Sequence, residues 1–393
     1  MSADVRATAV SVFGALVDDL RRQPDGAAQL AELLPENLPH HAGRSSADMV
    51  RMRGYLLAAF ADTGLPDAAL PFLIESVETG VDAYEVAGAA IGLRGTATLP
   101  ADVPAALLRA VDNIGGSDAT MSFESIRPQL PYARPTTALT ELFRTVGCFD
   151  ASAMLLPQLE RLSRERERFP KAVLAELRHV IDAGRARPGN SAAAGDRCCG
   201  GSMPRGRAGD PPPPGQELRH VELQDQDGRV ELFEHYFRGR PAVVTFFYTR
   251  CDNPFKCSAT ITKLAAIQRS LRTQQADARV TLAAISYDPD FDIPERLRVY
   301  GADRGVVFDA STRFFRATSG FAELRRWFDL GVNYGGSTVN RHQIEVYLLD
   351  SDGGVATSFR RSQWHADTVL RAIADLLSDE ATTESKQQAR HSC

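Results

Sequence analysis

The stretch VVTFFYTRCDNPFKCSATITKL, residues 243–264, decides how the C-terminal half folds. An apolar run passes through a short polar loop into a pattern of helical period. Residues 242–248 (AVVTFFY) have the continuous apolarity of a buried central strand. Ile261, Leu264, Ile267 and Leu271 then mark one face of a helix. Cys251 opens the loop and Cys257 closes it, in a chain with six cysteines. The site between a strand's carboxyl end and a helix's amino end favours negative charge, because unpaired N–H groups and the helix dipole point there. A thiol placed there ionises readily, and the thiolate is the nucleophilic and metal-binding form. Arg250 and Lys256, next to the two cysteines, are expected to push the same way.

Working outward, a hairpin signal lies around Asp227-Gly228 within residues 220–236. A second buried strand reads at 279–288 and helices near 294–300 and 321–328. Strands follow at 344–350 and 355–359 about the turn SDGG, and a last helix at about 366–377. The order β-α-β-α-β-β-α after a hairpin is that of an α/β thioredoxin-like domain, assigned to residues 217–377. Residues 378–393 read as a disordered tail. Residues 184–216 are rich in Gly, Pro, Ala and Arg, with a four-proline run at 211–214, and read as a flexible linker.

Residues 1–183 are helical in pattern. FADTGLPDA (60–68) and FRTVGCFDA (143–151) share Phe, Gly, Asp and Ala at the same offsets, 83 positions apart. Half that separation approaches the ~40–47-residue period of HEAT and armadillo helix pairs. An α-solenoid of HEAT-like type, docking a protein client on its concave face, is the expectation. In each copy Gly should cap one helix and Asp start the next. Cys148 occupies the place of Leu65 and is expected to be a small buried residue. His40 and His41 are expected in an exposed loop.

The formal net charge of −5 gives no sign of nucleic-acid binding. Four of the 45 basic residues are Lys, so Arg-rich stretches read as solvated helix faces. No run reaches the ~18 apolar residues of a membrane span, and residues 1–23 lack the character of a secretory signal. The chain is expected to be cytoplasmic, where clustered cysteines serve metal or redox chemistry more often than structural bridging.

Taken together, residues from about Gly215 to Leu377 resemble the Sco/SenC family. PAVVTFFYTRC resembles the family's strand and Y-T-x-C approach. AISYDPDFDIPERLRVY resembles its second strand with D-P and a helix, and IEVYLLDSDGG its late hairpin. The family's cysteine spacing is C-x3-C, and this loop has C-x5-C. The resemblance implies a thioredoxin fold linked to copper delivery to cytochrome oxidase and to thiol reduction there. It implies Cys251, Cys257 and His342 as ligands, the last standing just before the strand at 344–350. Soft sulfur with imidazole suits Cu(I), with His also accepting Cu(II); zinc is a competitor for the same set. Because His342 must be neutral to bind, affinity should fall below about pH 6.

Other readings stand beside this one. One is a thiol-disulfide oxidoreductase with Cys251 attacking and Cys257 resolving. Another is a non-catalytic interaction scaffold. Cys198, Cys199 and Cys393 are auxiliary thiols that a flexible arm would carry to the site, or an exposed set with incidental reactivity. His235 and His365 read as structural or capping residues.

Overall fold

The computed structural model describes residues 3–97, 99–100, 103–126, 134–149, 155–165, 167–186, 218–361 and 364–391. They fall into two compact units that divide near residue 200. The linker residues from 187 to 216, with Cys198-Cys199, lie outside the described residues, as does Cys393.

The N-terminal unit is helical. Its longer helices span Ala3–Arg21, Ser46–Thr63, Val103–Ile114 and Lys171–Ala186, so the last of them extends past residue 183. Ser46–Thr63 and Ala83–Gly92 approach closely through glycine. A Cβ on Gly54 would lie 2.2 Å from Tyr84 O, and one on Gly88 2.1 Å from Gly54 O. The core includes Phe60, Leu73, Val86, Leu107, Leu142, Phe143 and Leu177. Arg53, 3% exposed, is held within it by Glu36 at 3.1 Å and by Leu34 O at 2.9 Å.

The two copies of the short repeat are not capped alike. Gly64 ends its helix with φ 85°, a conformation glycine adopts without strain. Gly147 instead lies inside the helix Ala138–Cys148, where a Cβ would meet Val180 at 3.0 Å. The helix after the first copy starts at Leu70 with Ala69 as its N-cap, not Asp67. Cys148 is exposed at its helix end rather than buried. His41 departs from expectation in the other direction. It is 3% exposed, its Nε2 lies 3.2 Å from Leu33 O, and burial lowers its pKa to about 3.

The C-terminal unit is an α/β sandwich on a seven-stranded sheet. Its strands are β1 (Glu222–Asp225), β2 (Val230–Leu232), β3 (Ala242–Phe247), β4 (Thr281–Ser286), β5 (Thr312–Ser319), β8 (Glu345–Leu349) and β9 (Val355–Arg360). They lie in the order β2-β1-β5-β4-β3-β8-β9. Two further strands, β6 (Val332–Gly335) and β7 (Thr338–His342), form a separate two-stranded ribbon. Strands β3, β4 and β5 run parallel, with the helices Ala259–Thr273 and Pro294–Ala302 in the crossovers. Every residue of β3 and β4 is buried, as a sheet covered on both faces requires.

Alternation along β3 sends Phe246 and Phe247 to opposite faces. Phe246 packs with Phe328 at 5.0 Å and Tyr287 at 5.7 Å between ring centroids. Phe247 packs with Phe314 at 5.2 Å and Tyr300 at 5.3 Å.

The sequence pattern missed β5 and the β6–β7 ribbon, and it took residues 233–236 for strand. These instead begin the short helix Phe233–Phe237, whose Phe233 and Phe237 are both buried. The expected tail is also corrected. The last helix runs Ala366–His391 without a break at 378. Residues 378–391 hold no Gly or Pro, and Glu, Ala, Gln, Lys and Arg make up eight of the fourteen, so nothing local stops the helix. No helix among the described residues is long and apolar enough to cross a membrane.

Both tryptophans, Trp327 and Trp364, are buried in the C-terminal unit, so their fluorescence reports that unit alone. Phe247→Ala should destabilise it by about 3–5 kcal/mol through lost burial and the cavity left behind. Urea titration of the full chain, followed at the tryptophans, should show this as an earlier midpoint. An unchanged midpoint would contradict the packing of this face.

Candidate metal centre

The loop after β3 is anchored before it reaches the first cysteine. Asp292 is fully buried, and its carboxylate accepts from the backbone N–H and hydroxyl of Thr249 and from the hydroxyl of Ser286. Arg250 is ion-paired to Asp288, with its guanidinium 3.9 Å from the centroid of Phe291. Arg250 is therefore engaged away from the thiols, contrary to the sequence expectation.

Beyond Cys251, Asn253 caps the turn by accepting from Phe255 N–H at 2.9 Å. Residues Pro254–Ser258 form one wide π-type turn, and Lys256 within it leaves helical dihedrals at φ −106°, ψ −105°. The helix Ala259–Thr273 continues from there, so Cys257 sits at its amino end, as expected.

The β6–β7 ribbon brings the third residue. His342 ends β7 and Glu345 begins β8. Gln343 N–H donates to Gly331 O at 2.8 Å, which ties this connection to the start of the ribbon. Gly331 is required there, since a Cβ would lie 2.4 Å from the Gln343 side chain.

The ligand-capable atoms of Cys251, Cys257 and His342 all lie within 4.8 Å of one another. His342 Nε2 is 3.5 Å from Cys251 Sγ and 3.6 Å from Cys257 Sγ. His342 Nδ1 lies 2.9 Å from Gln343 O. A carbonyl accepts only, so Nδ1 carries the hydrogen, and the Nε2 lone pair faces the sulfurs in the neutral ring. This is the usual arrangement of a ligating histidine, whose second nitrogen is held by a carbonyl. Tyr248 meets the imidazole edge-on at 5.4 Å and Tyr287 lies at 5.5 Å.

The two sulfurs differ. Cys257 is 1% exposed and Cys251 is half-buried. The Cys257 thiol donates to Cys251 and holds the Cys251 pKa well down, against the burial that opposes it. Burial pushes the Cys257 pKa up, and the neighbouring Cys251 charge pushes it further. The two shifts point opposite ways, favouring the thiolate form at Cys251 and the thiol form at Cys257.

Sequence reasoning did not find the polar layer under the histidine. Glu345 is fully buried and accepts from Tyr287, from Tyr347 at 2.9 Å and from Gln343 Nε2 at 2.6 Å. Burial raises its pKa despite these bonds. Lys256, expected from the sequence to favour the thiolates, is buried; its charge acts to lower the Cys257 pKa, and its ammonium donates to His342 O at 2.8 Å. The other histidines considered lie apart: His235 and His365 are both exposed, the latter's carbonyl accepting from Thr368 N–H at the start of the last helix.

Residues 212–378 match the family model described as SCO1/SenC. The solved structures that the chain matches include a SCO1/SenC family lipoprotein from Bacillus anthracis. It is 21% identical, with a TM-score of 0.35 over 41% of this chain and 99% of that one. Bradyrhizobium japonicum ScoI with copper bound is 20% identical, with a TM-score of 0.33 over 40% of this chain and 96% of that one. Yeast Sco1 with copper bound is 21% identical, with a TM-score of 0.33 over 40% and 86%. No curated protein matches the chain.

The unequal sulfurs make a kinetic difference. In the folded chain, alkylation of Cys251 by iodoacetamide should hardly slow between pH 8 and pH 5, because its thiolate persists below the ordinary thiol range. In guanidinium-unfolded chain the same reaction should fall about tenfold per unit below ~8.5. Peptide mapping by mass spectrometry gives both profiles. Coincident profiles would refute the pairing, and Cys257→Ala should move the folded profile toward the unfolded one.

Proposed function

Starting from the SCO1/SenC domain at residues 212–378, we propose that the C-terminal unit binds copper through Cys251 Sγ, Cys257 Sγ and His342 Nε2. In this reading it acts as a metallochaperone or redox partner in cytochrome oxidase assembly. The supporting observation is the convergence of two sulfurs and an oriented imidazole nitrogen on one point at the strand's carboxyl end. Soft thiolates select Cu(I), the imidazole serves either oxidation state, and zinc suits the same donors with one position open. The protein's own part is to fix the imidazole, keep one sulfur buried and leave the other accessible. We assign the helical unit, read as HEAT-like, to docking of a protein client.

A second reading, thiol-disulfide exchange, is favoured by the same asymmetry. Cys251 is the accessible thiolate that would attack a disulfide, and buried Cys257 the thiol that would resolve the mixed disulfide.

Anaerobic Cu(I) titration against a competing chelator separates these readings. With Cys148, Cys198, Cys199 and Cys393 changed to Ser to remove the other thiols, one tight site is expected. Cys257→Ala should abolish it. His342→Ala should weaken it by roughly a hundredfold or more, since loss of an outer partner alone typically costs 10–100-fold. Equal titration of all three proteins would refute copper binding at this centre. Disulfide turnover lost in Cys251→Ser, without tight copper binding, would establish the second reading instead.

A further inference from the structure

We propose that Glu345 is the positioning residue of this centre: acting through Gln343, its buried carboxyl group holds His342 in the tautomer and orientation that turn Nε2 toward the sulfurs. The proposal rests on the metal reading of Cys251, Cys257 and His342.

A strand buried along its whole length normally carries apolar side chains. All five residues of β8 are buried, yet it opens with Glu345, 1% exposed. A carboxyl group in that place costs free energy that an aliphatic side chain would not. Three donors offset the cost. Oε1 accepts from the Tyr287 hydroxyl, and Oε2 accepts from the Tyr347 hydroxyl at 2.9 Å and from Gln343 Nε2 at 2.6 Å. The bond to Gln343 is the one that reaches the histidine.

Gln343 is fully buried. Its backbone N–H is held by Gly331 O at 2.8 Å, and its side chain fills the space that a Cβ on Gly331 would need. Its amide is held by Glu345. Fixed at both ends, the residue presents its carbonyl to His342 Nδ1 at 2.9 Å. That bond sets which ring nitrogen carries the hydrogen. Tyr287 acts on the same ring: its own ring lies 5.5 Å from the imidazole, and its hydroxyl is bound to Glu345. One carboxyl group therefore holds both the acceptor of Nδ1–H and an aromatic wall of the imidazole.

Glu345 also ties the histidine to the sheet that carries the cysteines. Its backbone carbonyl accepts from the Thr245 hydroxyl of β3 at 2.9 Å. Tyr287, the residue after β4, donates its N–H to Phe247 O at the end of β3. The cysteine loop departs from that same strand end. Other neighbours of His342 do not set its tautomer. The Lys256 ammonium reaches its backbone carbonyl, and Tyr248 meets the ring edge-on.

The test compares Glu345→Leu, Glu345→Gln and Gln343→Met in the full chain carrying the four Ser replacements above, with tryptophan fluorescence as the check on folding. In metal-free protein with isotope-labelled histidine, nitrogen NMR at about pH 8, where an ordinary imidazole is neutral, should show His342 as the Nδ1–H tautomer alone. Comparison with His342→Ala identifies its signal. Glu345→Leu and Gln343→Met should each show both tautomers. Glu345→Leu should also lower Cu(I) affinity by about 10–100-fold, the usual cost of losing an outer partner. Glu345→Gln, which keeps an acceptor for the Gln343 amide, should lose at most about threefold. In a His342→Ala background Glu345→Leu should change Cu(I) affinity by less than about threefold, because the residue it acts through is gone. Gln343→Met breaks the same bond from its other end and decides the matter if Glu345→Leu does not fold. An unmixed Nδ1–H tautomer in the variants, or an equal loss of Cu(I) affinity in both backgrounds, would make Glu345 a general support of the fold and overturn the proposal. Failure of the chain with Glu345 intact to bind Cu(I) would overturn the metal reading, while the NMR arm would still decide whether Glu345 orients the ring.

Discussion

A single hydrogen bond, from His342 Nδ1–H to Gln343 O, decides what this centre can be. It fixes the tautomer, and with it the direction of the Nε2 lone pair. A histidine with the opposite tautomer would present a hydrogen to the two sulfurs and hold no metal there. The bond is local, one residue along the chain, yet it depends on distant structure. Gln343 is placed by its N–H bond to Gly331 O, and Gly331 is close because no side chain separates the two segments. The β6–β7 ribbon is thus the support of the imidazole, while the parallel sheet supports the cysteines.

The two supports are held by different physics. On the cysteine side, a buried carboxylate, Asp292, collects donors from the end of β4 and from the loop itself. On the histidine side, Glu345 collects two phenols and an amide beneath the ring. A buried carboxyl group is costly, and such a cluster is justified energetically only when its hydrogen bonds are satisfied. Satisfied clusters are directional, unlike apolar packing. They fix loops to the sub-ångström tolerance that ligand atoms require. This explains why polar residues crowd a region where the adjacent layer is Phe246, Phe328 and Tyr347.

How far the sequence reveals this follows from the range of each signal. Cys251 and Cys257 were legible because strand, loop and helix follow one another in 22 residues, and position at a helix start has a direct chemical consequence. His342 was reached through family resemblance, 85 positions beyond Cys257. Strand β5 was not legible. Arg313 and Arg316 interrupt its apolar run, and they are accommodated by distant partners, among them Glu231 on β2 and Gln224 on β1. Tyr287 and Glu345 are 58 positions apart and carry no local pattern. Cys148 shows the opposite failure. A short repeat supplied an apparent equivalence with Leu65, but the two copies end their helices differently, so the equivalence conveys no burial. The tail after residue 378 was read from polarity, whereas its helix follows from intrinsic propensity without a breaker.

The unequal burial of the two sulfurs gives the centre a direction. Cys257 and His342 are enclosed, and Cys251 alone is partly open. On the copper reading, an incoming donor would meet Cys251 first, and Cys257 and His342 would complete the ligand set from the enclosed side. On the same reading Cys251, the accessible sulfur, would be the ligand to exchange on release. The same geometry serves disulfide chemistry, where an accessible sulfur attacks and a protected one resolves. Metal transfer and thiol exchange are thus two uses of one asymmetry.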